Sequence, residues 1–72
     1  MELNSNVKGC VLVVENGTIQ IRDEDGLLHF YSNVLNEKVE LGQTIEVGDT
    51  LGETGEKLSY IVTGIDLAKE LN

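Results

Sequence analysis

The chain has no proline and no tryptophan, one cysteine, one histidine, and two tyrosines and one phenylalanine as its only aromatic side chains. Each scarcity removes a class of answer. The lone Cys10 cannot form an internal disulfide, and no zinc-type Cys/His spacing exists, so neither of the usual staples of a small domain is available. Without proline, strands lack an obvious device for blocking an open edge. Five basic residues stand against thirteen acidic ones, a net charge of −8, which argues against binding a nucleic-acid backbone or an anionic membrane. No apolar run approaches the length of a membrane span, and the N-terminus has neither the basic start nor the apolar core of a secretory signal. The expectation is a cytoplasmic protein or a virion component, and an unpaired Cys10 suits a reducing compartment.

Seventy-two residues make a single small domain, which buries only about 60% of the surface its unfolded chain exposes. Stability must then come from a regular β core or from a second subunit, and a homo-oligomer is expected on that ground. The pattern that is present is β. Residues 39–55, VELGQTIEVGDTLGETG, set Val39, Leu41, Ile45, Val47 and Leu51 at odd positions and glycines at 42, 48, 52 and 55. Alternation of this kind places one face in a core and one in water, and glycine supplies the positive φ that sharp corners require. The tandem units Gly42-Gln43-Thr44-Ile45 and Gly48-Asp49-Thr50-Leu51 suggest two neighbouring corners built alike.

Around this stretch the chain reads as a β-meander. Residues 1–6 are polar and expected to be frayed. Residues 8–14, KGCVLVV, and 18–23, TIQIRD, flank Glu15-Asn16-Gly17, a strong hairpin signal. Residues 23–26 form a second turn, and residues 27–31 a third strand. The segment 32–36 is polar and Asn-rich, and reads as a loop carrying Val34 and Leu35 as apolar anchors. Residues 57–63, KLSYIVT, supply the last strand. Residues 65–71, IDLAKEL, are the one helical-looking piece, with Asp66 in the first turn where its charge suits the helix dipole. The fold class expected is mainly β: a small barrel-sandwich or β-meander domain with a short C-terminal helix.

From Asp25 to Val62 the order of signals is Asp25-Gly26, an aromatic pair ending in Tyr31, a short polar loop with Val34-Leu35, and V-x-x-G-Q-x-I-x-x-G-x-x-L-G-x-x-G, followed by an alternating strand. This resembles the LytM or lysostaphin-type metallopeptidase domain, whose barrel-sandwich, duplicated-hybrid-motif fold is also similar to lipoyl and biotinyl carrier domains. The resemblance implies a zinc site made by an early H-x-x-x-D and a late H-x-H, assisted by a loop histidine. The loop histidine would fall at or near Asn33, and the late motif on Lys57-Leu58-Ser59. No H-x-x-x-D exists upstream. A zinc hydrolase needs three protein ligands and an open fourth position, which a chain with one histidine does not supply. The resemblance therefore implies a scaffold stripped of its metal, with no cofactor, and with Tyr31, Asn33, Lys57, Ser59 and Tyr60 lining the former groove. None of Lys8, Lys38, Lys57 or Lys69 sits in the setting of a carrier domain's modified lysine.

Other candidate sites read as structural. His29 is expected to be a polar residue on an exposed strand face, and Cys10 a small buried hydrophobe. Residues 23–26 fail as a calcium loop, because the closing glutamate of an EF-hand would fall on Val34. Residues 48–55 are glycine-rich but lack the Lys-Ser/Thr ending of a phosphate loop and carry Asp49 and Glu53. The functional expectation is a non-catalytic protein-interaction or structural module, a virion part or an inhibitor, with a protein partner. Two alternatives are non-hydrolytic binding of cell-wall peptide or glycan through Tyr31 and Tyr60, and acidic mimicry of DNA by a face carrying Glu40, Glu46, Asp49 and Glu53, since same-face strand residues repeat at about 6.6–7 Å, close to the phosphate spacing.

Overall fold

A computed structural model of the chain describes residues 1–64; the helix expected over 65–71 lies outside the described residues. Six strands follow in order: β1 Glu2–Asn4, β2 Gly9–Glu15, β3 Thr18–Asp23, β4 Leu28–Leu35, β5 Thr44–Ile45 and β6 Thr50–Thr63. They form one curled antiparallel sheet, a half-barrel, in the order β1-β6-β4-β3-β2-β5. The mainly β class read from the sequence is what the chain adopts.

The β2–β3 hairpin closes on Asn16 and Gly17, both at positive φ (47° and 83°), the pair that a two-residue hairpin turn demands. Ile19 and Ile21 alternate inward and are fully buried. The apolar run of β2 escapes strict alternation through a bulge between Val11 and Val13, so that Val11 is buried and Val14, three residues on, also packs against the core. Because Val11 points inward, Cys10 before it points outward: the thiol is exposed, not buried as the apolar run suggested.

Two further expectations are corrected here. Residues 1–6 are not frayed. β1 pairs with β6, Leu3 opposite Gly52, and Leu3 and Ser5 are both buried. The apolar side chain of Leu3 and the open edge of β6 favour pairing over solvation. The segment 32–36 is not a loop either, for β4 runs through to Leu35. Asn33 takes the left-handed conformation (φ 63°) at a break in the β4–β6 ladder, so its polarity marks a bulge inside a strand rather than the end of one.

In residues 39–55 the governing period is six. Val39, Ile45 and Leu51 are buried in the core, whereas Leu41 and Val47 stand 71% and 68% exposed at the tips of turns. Each turn is built identically. The N–H of Gln43 donates to the Glu40 carbonyl and the N–H of Asp49 to the Glu46 carbonyl, while the Gln43 and Asp49 side chains accept from the N–H groups of Glu40 and Glu46. Gly42 and Gly48 provide the positive φ. Each turn is also strapped by one residue of another segment: Val11 exchanges backbone bonds with Gly42 and Gln43, and Ser5 with Gly48 and Asp49, at 2.8–2.9 Å. The corners that the tandem sequence units suggested are alike to the level of individual hydrogen bonds.

The six-residue period makes a checkable division. Ile45→Ala or Leu51→Ala is expected to cost about 2–5 kcal/mol in urea unfolding, and Leu41→Ala or Val47→Ala to stay within about 0.5 kcal/mol. Equal losses at all four positions would return the stretch to simple alternation.

Candidate functional site

The ladder break between β4 and β6 shapes the surface. Register passes from Ser32↔Ser59 to Val34↔Thr54, so four residues of β6, 55 to 58, face Asn33 alone on β4. The bowed-out segment leaves a shallow depression of about 560 Å³. Its rim includes Asn16, Gly17, Asn33, Leu35, Glu37 and Lys57. The Asn33 amide donates to the Lys57 carbonyl at 2.8 Å and holds the bow against β4. At the other end the Gly17 N–H donates to a Glu37 carboxylate oxygen at 2.7 Å. The Leu35 side chain is exposed here.

Of the five residues that the sequence assigned to a groove, Asn33 and Lys57 line this depression and the other three do not. Tyr31 is buried in the core. Ser59 lies beyond the break, opposite Ser32. Tyr60 lies opposite Tyr31, with ring centroids 4.8 Å apart. The four acidic residues are spread over structural duties. Asp49 caps the N–H of Glu46, and Glu53 accepts from the Asn36 amide at 2.7 Å. Glu40 and Glu46 are exposed at equivalent positions of the two turns, with Glu46 3.9 Å from Lys8, a surface pair that contributes little.

On the inner face, His29 is buried rather than exposed as a polar strand residue. It shares the inward parity of Tyr31, and its polarity is met on both sides. Nε2 lies 2.7 Å from Asp23 Oδ2, and Nδ1 2.7 Å from the Tyr60 hydroxyl. With Nε2–H donating to the carboxylate, Nδ1 accepts from Tyr60. The Asn6 amide nitrogen then donates to Tyr60 at 3.3 Å, and the Tyr31 hydroxyl donates to the Asn6 carbonyl oxygen at 2.7 Å. Tyr31, Asn6, Tyr60, His29 and Asp23 thus form one chain in which every donor points toward the carboxylate. Asp23 Oδ1 meanwhile accepts from the N–H groups of Asp25 and Leu27 at 2.9 Å and closes the β3–β4 turn. The His29 bond, followed by these backbone donors, holds the Asp23 carboxyl below its usual range. Burial, reinforced by the neighbouring Tyr60, pushes the Tyr31 phenol up to about 12, so it stays a neutral donor.

This arrangement orients and fastens. Both ring nitrogens of His29 are occupied, so neither is free for a substrate or a metal. Where the LytM resemblance would put the assisting loop histidine and the two histidines of the late motif stand an amide (Asn33), an ammonium (Lys57) and a hydroxyl (Ser59), and the amide is already spent on the Lys57 carbonyl; this donor set does not fit zinc. Among the described residues no group of three or more His, Cys, Asp or Glu side chains converges on one point. Sequence reasoning missed Asp23 and Asn6 as members of the chain. The Asp-rich turn signal located Asp23 but not its second oxygen, and Asn6 sits in a segment whose pairing no local pattern announces.

Two measurements test the network. Tyr60→Phe leaves the buried His29 Nδ1 without its donor and is expected to cost about 1–3 kcal/mol. For Asp23 the folded-state pKa is depressed, so its stabilisation is present above the unfolded value near 3.8 and is lost as pH falls through the lower folded value. Wild type is therefore expected to exceed Asp23→Asn in urea midpoint at neutral pH and to converge with it only below about pH 4; convergence already at pH 5 would contradict the assignment.

Comparison with protein-family models, with curated proteins and with solved structures returns no match.

Proposed function

We propose that the chain is a non-catalytic protein-binding module, a LytM-like scaffold without its metal site, whose ligand surface is the depression at the β4–β6 ladder break. The observation that carries the reading is the Asn33–Lys57 bond. It ties together the position where the resemblance would put the assisting loop histidine (Asn33) and the first position of the late motif (Lys57), and it uses the side-chain amide to hold a surface shape. The depression offers an apolar side chain (Leu35), a cation (Lys57) and carboxylates (Glu37, Glu56) along a bowed strand, a mixture suited to an extended polypeptide segment. Among the described residues its lining includes no serine, threonine, cysteine or histidine.

A protein ligand is favoured over a cell-wall glycan by the fate of the aromatics. Of the two rings that the glycan reading needs for stacking, Tyr31 is buried, which leaves the partly exposed ring of Tyr60 alone. The purified protein is expected to hold no stoichiometric zinc, to cleave neither peptidoglycan nor glycyl peptides, and to unfold at the same temperature with and without EDTA. Elemental analysis giving one zinc per chain, with unfolding on chelation, would overturn the reading. Sedimentation with purified peptidoglycan that survives Lys57→Glu would move the ligand from protein to cell wall.

A further inference from the structure

We infer that the free edge of β6 pairs antiparallel with the same edge of a second copy of this chain, about a two-fold axis at Tyr60. This stands independently of the reading of the depression. β1 covers the outer side of β6 only from Thr50 to Glu53, with a last bond from the Thr54 N–H to the Met1 carbonyl. On the side away from β4, residues 55–62 have no ladder partner among the described residues. Alternate backbone N–H and C=O groups therefore face outward, which is the template for strand addition.

The side chains say what kind of partner fits. Tyr60, Ile61 and Val62 are consecutive and 41%, 59% and 44% exposed. Tyr60 and Val62 lie opposite Tyr31 and His29 on the inner face, and Ile61 lies opposite Phe30 on the outer one. A helix or loop laid on one face covers one of these sets and leaves the other wet. A strand added at the edge flanks both.

Charge leaves this edge open to a second copy and narrows the register. The chain carries −8, so two copies repel wherever their acidic surfaces meet, whereas residues 55–62 contain one Glu56 and one Lys57, which cancel. A two-fold axis perpendicular to the sheet keeps every residue on its own face. Centred on Tyr60, it sets Leu58 against Val62 of the second copy and Ser59 against Ile61, and no like charges meet. Centred on Glu56 or Lys57, it sets identical charges opposite each other, which is destabilising. The pairing is isologous and closed, so it ends at a dimer rather than a filament.

Light scattering on the eluting protein at high micromolar concentration is expected to give twice the 7.9 kDa chain mass. Ile61→Lys, at an exposed position, should return a monomer with unchanged circular dichroism, while Leu41→Lys, on an exposed turn, should remain dimeric. Amide exchange should show protection within residues 56–62 of the wild type that Ile61→Lys abolishes. A monomeric wild type, open-ended polymers, a dimeric Ile61→Lys, disruption by Leu41→Lys, or concentration-dependent protection confined to another strand would each overturn the inference.

Discussion

Four backbone hydrogen bonds hold this architecture in its curled form: Val11 to the turn at Gly42-Gln43, and Ser5 to the turn at Gly48-Asp49. Each strap fastens a corner that would otherwise hang from the sheet by its own short-range contacts. Through the first, the two-residue β5 is registered on β2. Through the second, the N-terminal segment is laid along β6, so that Leu3 reaches the core beside Leu51. Both exchange every donor and acceptor they bring, which is what allows buried residues such as Ser5 to carry polar backbone inward at no unsatisfied cost.

The same straps dictate where the sheet opens. β1 is three residues long, so it covers only the first part of β6, and among the described residues the rest pairs with β4 alone. There the ladder is interrupted at Asn33, and the strand bows over a depression before rejoining β4 at Ser59. Gly52 sits at the crossing of β1, β4 and β6, where an added Cβ would lie 2.8 Å from the Leu35 carbonyl oxygen and from a Val34 methyl. The close approach of three strands at one glycine is thus the pivot from which the paired half and the bowed half of β6 diverge. The directed chain from Tyr31 to Asp23 steadies the far end, tying the β1–β2 connection through Asn6 to β4 and β6.

Much of the β order was legible because its signals are local. Asn16-Gly17 demands its hairpin, the alternation of Ile19 and Ile21 demands an inward face, and the tandem glycine units announce equal corners. What was not legible depends on partners far along the chain. Nothing near residue 3 tells that Leu3 will meet Gly52. The polarity of Asn33 suits a loop and a bulge equally, and only the pairing of β4 with β6 decides between them. His29 looked like a surface residue because an imidazole is costly to bury alone; it is buried because Asp23 and Tyr60, the latter thirty-one residues away, satisfy both nitrogens. The apolar residues at odd positions misled for a related reason, since a turn at every sixth residue overrides the simple alternation of an extended strand. For the candidate site, the sequence placed Asn33 and Lys57 together, and the buried ring of Tyr31 is what local pattern had no means to foresee.

The equivalence of the two strapped turns carries a consequence for how such a chain changes length. Ser5 and Val11 are themselves six residues apart, matching the interval from Gly42 to Gly48, and because Val11 holds the earlier turn and Ser5 the later one, strap and turn run antiparallel in equal steps. Length is in this sense quantised along both segments at once. Removing a whole unit from one segment strands its counterpart in the other, and removing a fraction of a unit rotates a core residue such as Ile45 to the water side. Two turns and their two straps share one interval of six residues, and a change of length in either segment keeps all four bonds only if that interval is kept in both.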